Sequence, residues 1–196
     1  MRRVAAAGER ASTLAWRDAR RDDRRHLQAF VCTSPDHAKW LPARRARVHP
    51  RQWELDVQAA IRKLKPPPGP HARLRLAFDK VGLAAVVHVV VATENDHGIL
   101  VPVIALAQRL RGGKHHRGGE LAGEALRAAS DLKAAHKMEG VGVFARVHPR
   151  NTASGFAFAA AGFEKLDGLF HTQDPAPGPL EHHRCDECVE SWVATV

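Results

Sequence analysis

Apolar positions recur along this chain with two periods, and the changes between them mark its elements. Residues 1–13 are small and polar with no period, which predicts a loose tail. From Leu14, "LAWRDA" alternates as a short strand does, and "RRDDRRHLQAFVC" then puts Leu27, Phe30 and Val31 on one helical face behind an acidic first turn. Trp53, Val57, Ile61 and Leu64 recur at helical spacing in "PRQWELDVQAAIRKLK", a helix that "PPPGP" (66–70) must end. "ARLRLAF" and the β-branched "LAAVVHVVV" flank "DKVG" and predict a hairpin. After a turn at "ENDHG", "ILVPVIALA" reads as a third strand whose Pro102 marks an edge, a bulge or interrupted pairing.

The second half continues with "QRLRGGKHHRGG", a loop that opens a helix carrying Leu121, Ala125, Leu126 and Ala129 on one side. "VGVFARVH" predicts a strand, "PRNTASGFAFAAA" a helix, "GFEKLDGLFH" one further strand and "ECVESWVATV" the last. The order predicts an α+β fold around a central mixed sheet of six or seven strands with about four helices.

Composition narrows the class. The 196 residues, 44% hydrophobic, suit a single domain spanning 14–196. No apolar run approaches the roughly 20 residues that span a bilayer, and no apolar stretch follows the first arginines, so a cytoplasmic protein without membrane partners is expected. Three cysteines, Cys32, Cys185 and Cys188, are too few for a disulfide scaffold and suit a reducing compartment. The net charge of +9 is concentrated at the start, where residues 1–51 hold 13 Lys/Arg against 5 Asp/Glu. That bias would attract nucleic acid or another polyanion, although the interleaved aromatics of a single-strand platform are missing.

Chemistry enters with the loop. A strand, a glycine-rich turn and a helix N-terminus together can cradle a phosphate, because glycines let backbone N–H groups turn inward and the helix end is partly positive. The loop is not a P-loop, and its glycines do not follow the dinucleotide-binding pattern. Its downstream partner, "GVFARVHPRNTASGFAFAAAGFEKL", runs strand, His-Pro-x-Asn turn, small-residue helix and Gly-Phe. In this order the two segments resemble the C-terminal half of the GNAT superfamily of acyl-CoA-dependent N-acyltransferases.

The resemblance implies a sheet splayed between its fourth and fifth strands, acetyl-CoA as co-substrate and an amine acceptor. It also implies direct transfer without a covalent enzyme intermediate, and a homodimer. Arg117, Gly118, Gly119, Leu121 and Ala122 match the pyrophosphate loop, with Glu120 at a glycine position. A second register starts at Arg111, Gly112 and Gly113, and Arg111, Lys114, His115 and His116 would surround the phosphates. Leu106, Ala107 and Gln108 would offer backbone N–H groups to the pantetheine and thioester, and Asn151 would contact the coenzyme. Phe158 stands where the family keeps a tyrosine acid, and phenylalanine has no proton to give. For the base, His88, Glu94, Asp96 and His97 are candidates. The weak loop match and the missing tyrosine leave open a non-catalytic acyl-CoA-binding module, and the basic start leaves open an acyltransferase acting on charged tRNA.

Two features carry less. His182, His183, Cys185 and Cys188 could contribute to a zinc site, but no second Cys-x-x-Cys completes it, and no metal is expected. Trp16, Trp40, Trp53 and Trp192 suit core packing, or for Trp40 and Trp53 the acceptor-site wall that the resemblance puts between the first two helices.

Overall fold

In a computed structural model of the chain, the described residues are 14–34, 52–92, 98–112, 117–167, 170–171 and 188–195. Strand β1 (Ala15–Asp18) leads through a 3-10 turn (Arg21–Asp23) into α1 (Arg24–Ala29), and α2 covers Gln52–Lys63. Then come β2 (Ala72–Asp79), β3 (Gly82–Ala92), β4 (Gly98–Leu106), a 3-10 turn (Gln108–Leu110) and α3 (Gly118–His136). The chain continues through β5 (Val143–Val147), α4 (Thr152–Ala160), β6 (Glu164–Lys165), β7 (Phe170–His171) and β8 (Cys188–Ala194). The strands lie in the order β1-β2-β3-β4-β5-β8-β6, with β7 beside β8. Every pairing is antiparallel except β4 with β5.

The sheet has a helical layer on each face. Leu27 of α1 and Ile61 of α2 pack with Leu74, Leu76, Val86, Val103 and Ala105 on one face. On the other, Ala122, Ala125, Ala129 and Leu132 of α3 and Phe158 of α4 pack with Val87, Val89, Val143, Ala145 and Trp192. The predicted alternation explains these faces, since strand side chains with period 2 meet helix side chains with period 3.6. Glu124, buried on α3, ties that layer to the sheet by accepting from Arg75 Nε at 2.7 Å and from Arg127 Nε at 2.8 Å. The hairpin turn forms as its sequence predicts: Asp79 Oδ1 accepts from the N–H groups of Val81 (2.8 Å) and Gly82 (3.0 Å).

Two expectations are corrected. The first helix ends at Ala29, so Phe30 and Val31 are not on it; Phe30 is extended and buried, while Val31 is exposed. Tertiary hydrogen bonds hold this segment straight. The Gln58 side chain donates to the Phe30 carbonyl and accepts from Cys32 N–H, and the Val31 carbonyl accepts from Gln108 N–H at 2.8 Å. The predicted strand "GFEKLDGLFH" is two short strands, each paired with β8. Glu164–Lys165 pair with Val193 and Trp192, and Phe170–His171 with Val189 and Cys188. Four residues of chain separate the two strands where β8 supplies two, so one continuous ladder cannot form.

Candidate functional site

Pro102 decides where the sheet opens. Opposite it the β3–β4 register shifts: His88 faces Val103 while Val90 faces Leu100, so β4 carries one extra residue. The side chains record the shift. Ile99 and Val101 join the α3-side cluster, whereas Val103 and Ala105, of the same parity, join the α1/α2-side cluster. Only a bulge reverses faces within a strand.

The same point ends the pairing of β4 with β5. Ile99, Leu100 and Val101 pair with Val143, Phe144 and Ala145, and β4 then runs on to Leu106 beside β3 alone. Arg146 and Val147 continue beside β8. Ile99 N–H donates to the Gly142 carbonyl on the β5 side, so by alternation position 102 turns toward β3, where the missing N–H suits the bulge; beyond that bulge β4 and β5 are no longer paired. The closed end of the gap lies near Gly98, where a Cβ would come within 2.7 Å of the Phe144 ring. The open end lies at Leu106 and Val147.

Antiparallel alternation determines which backbone groups face this gap. Ala107 N–H donates to the Ala84 carbonyl at 2.8 Å, so Ala107 is bonded toward β3. Neighbouring residues in such a ladder alternate their bonding direction, which turns the N–H groups of Leu106 and Ile104 toward β5. Gln108 N–H is engaged by Val31. Of the three residues read from sequence, Leu106 alone thus presents its N–H to the gap; Ile104 joins it. Period-2 counting back from Leu106 was the available signal for Ile104.

The glycine loop reaches the same open end. Arg117 caps α3, and the N–H groups of Gly118, Gly119 and Glu120 are those that a helix leaves without intrahelical acceptors. The glycines also face α4: a Cβ on Gly118 would meet Ala157 Cβ at 2.8 Å, and one on Gly119 would lie 3.7 Å from Ala160 Cβ. Leu121 and Ala122 are buried under the helix. Glu120 is turned toward Leu14, whose N–H donates to its carboxylate, and Arg117 Nη1 lies 3.5 Å from its other oxygen. Arg111 reaches across to α2, 3.3 Å from Glu54 Oε2. His116, with Lys114 and His115, lies outside the described residues.

On the opposite strand, Asn151 caps α4 and its Oδ1 accepts from Ser154 N–H at 3.4 Å. Phe158 is 3% exposed and meets Phe163 edge to face, with centroids 4.8 Å apart. It is a core residue on the inner side of α4. His88 faces Val103 and Leu74 on the α1/α2 side, one strand from the gap, and burial holds its pKa below the ordinary imidazole value. Glu94, Asp96 and His97 lie outside the described residues, as do Trp40, His182, His183 and Cys185. Among the described residues no group of three or more His, Cys, Asp or Glu side chains could hold a metal, and no helix is long and apolar enough to cross a membrane.

A further pair was not singled out from sequence. Trp53 of α2 stacks on His148, with ring centroids 4.3 Å apart and planes 16° from parallel. His148 immediately follows β5, and its Nδ1 accepts from Arg150 N–H at 3.1 Å. The His-Pro-x-Asn turn contains it, but local sequence holds no sign of a partner 95 positions earlier.

The split sheet, with a glycine-led helix at its open end and a capped small-residue helix beside it, has a GNAT-like α+β architecture. Solved structures agree along nearly the whole chain. Spermidine N-acetyltransferase from Vibrio cholerae, in complex with CoA and spermine, is similar over 94% of this chain and 96% of its own, with TM-score 0.53 and 14% identity. An acetyltransferase of the GNAT family from Streptococcus pneumoniae is similar over 93% and 99%, with TM-score 0.55 and 16% identity. No family model and no curated protein sequence matches the chain.

Proposed function

We propose that this chain is a cytoplasmic N-acyltransferase that transfers the acetyl group of acetyl-CoA directly to a primary amine. The observation that carries the reading is the gap beyond Pro102, into which the Ile104 and Leu106 N–H groups turn beside the glycine-led start of α3. CoA bound by the V. cholerae neighbour supports the choice of coenzyme. In this reading the pyrophosphate lies against the N–H groups of Gly118, Gly119 and Glu120, with Asn151 on the other side of the pantetheine. The thioester carbonyl lies in the gap. A neutral amine attacks the carbonyl carbon, the negative charge that develops on oxygen is held by the Leu106 or Ile104 N–H, and the C–S bond breaks to release the thiolate. The amine gives up one proton. His88, kept neutral by burial, accepts it through water. Solvent protonates the thiolate, since Phe158 cannot.

Titrating acetyl-CoA into the purified protein by calorimetry tests this. Saturable one-to-one binding with Kd on the order of 10–100 μM is expected, and absence of binding would falsify the reading. A second reading, a module that binds acyl-CoA without turnover, is favoured by Arg117 lying beside Glu120 and by Phe158 lying in the core. Binding without CoA release, across a broad panel of amines, would select it.

A further inference from the structure

A buried glutamine of α2 reaches the open end of the gap through one short piece of backbone. Phe30, Val31 and Cys32 follow α1, and along an extended chain residues i and i+2 turn their backbone groups to one edge while the residue between them turns to the other. Gln58 takes the first edge. Its side-chain carbonyl accepts from Cys32 N–H at 2.8 Å, and its side-chain N–H donates to the Phe30 carbonyl. The other edge belongs to Val31, whose carbonyl accepts from Gln108 N–H at 2.8 Å. Gln58 is 6% exposed, so its carboxamide pairs with this segment out of water, as a neighbouring strand would.

Gln108 is the second residue after β4. Ala107, between them, is extended with φ −54° and ψ 139°, so the alternation of β4 carries on through it. Leu106 and Gln108 therefore turn their N–H groups to the gap side, while Ala107 N–H is held by Ala84 on β3. Val31 occupies the N–H of Gln108, and Leu106 is left as the last donor on this edge. The two peptide groups that follow Leu106 are fixed by bonds to different elements, which holds its own N–H in one direction. Without the brace, Gln108 would offer a second donor about 7 Å further along.

Resting on the acyltransferase reading above, we propose that Gln58 is a positioning residue of this site. It acts through Val31 and Gln108. By holding the Val31 carbonyl on Gln108 N–H it closes the docking edge of β4 at Leu106, and so sets the depth at which the thioester carbonyl binds. A donor fixed in advance contributes its full hydrogen bond, whereas a loosened one must first be ordered.

Calorimetry on the full chain with CoA and acetyl-CoA tests this. One hydrogen bond to the thioester carbonyl should make acetyl-CoA bind about three- to tenfold more tightly than CoA. In Gln58→Met that advantage is expected to fall to within about twofold, with CoA itself changed by no more than about twofold. Ile61→Val, which loosens the same helix without touching the brace, should keep the advantage. Equal wild-type affinities, an undiminished advantage in Gln58→Met, or an equal loss in Ile61→Val would each overturn the inference alone. A protein that binds neither ligand overturns the acyltransferase reading and this inference together. If Gln58→Met does not fold, amide NMR of the wild-type protein decides. Exchanging CoA for acetyl-CoA should move the amide proton of Leu106 or Ile104 and leave that of Gln108 in place; a shift at Gln108, or none at the other two, overturns the inference.

Discussion

Phe158 is a side chain whose position and chemistry point in different directions. It falls where a family resemblance places a tyrosine hydroxyl, yet its ring is enclosed with Phe163, Ala122 and Trp192 in one apolar cluster. A hydroxyl added there would be taken out of water without a ready acceptor. Phe158→Tyr is therefore expected to lower stability by about 1–3 kcal/mol in urea unfolding, and to leave the rate of CoA release no faster. A faster rate would show that the hydroxyl reaches the gap. His88 makes a second prediction at this scale. Its folded pKa lies below the unfolded value near 6.5, so between the two only the unfolded chain takes up the proton, and stability falls as pH is lowered through 6.5. The urea midpoint should drop between pH 7.5 and 5, and drop less in His88→Leu; equal drops would remove His88 as the cause.

At the scale of elements, β4 contains most of what matters. Its proline was legible as an interruption, and the interruption is a bulge that turns side chains across the sheet and coincides with the end of pairing to β5. Pro102→Ala restores an N–H on the β3 side and relaxes the constraint on φ, so the bulge that turns β4 away from β5 can close. The ladder to β5 should lengthen, raising the unfolding free energy by about 1 kcal/mol and weakening acetyl-CoA about tenfold; unchanged affinity would show that the gap does not depend on the proline. The glycines of "RGG" were read as room for a phosphate. In the fold Gly118 is also needed for α3 to approach Ala157 of α4, a contact no local motif announces.

Among the described residues, Glu124 makes the central polar contact between the α3 layer and the sheet. It is buried on α3 and meets Arg75 of β2, which also lies 3.0 Å from Asp18 of β1. Removing one partner leaves the others poorly matched in a partly buried site, so Glu124→Ala should cost about 3 kcal/mol, measured as a shift of the urea midpoint at neutral pH. A loss within experimental error would mean that apolar packing alone holds α3 in place.

What the sequence alone determined about this protein is local in origin. Alternation and helical spacing specified the hairpin, the long helices, the order of elements and the break at Pro102, because backbone geometry repeats over two to four residues. They also placed the glycine loop and the Asn151 cap correctly at helix starts. The tertiary structure decided what depends on distant partners. It ended α1 early, because Gln58 and Gln108 hold the chain that follows it. It turned Leu106 N–H into the gap and Ala107 N–H away from it, because β3 lies on one side only. It directed Arg117 and Arg111 to glutamates rather than outward, and it brought Trp53 onto His148. Side-chain direction and ion pairing are settled by what packs nearby, and neighbours so far apart along the chain leave no periodic trace in it.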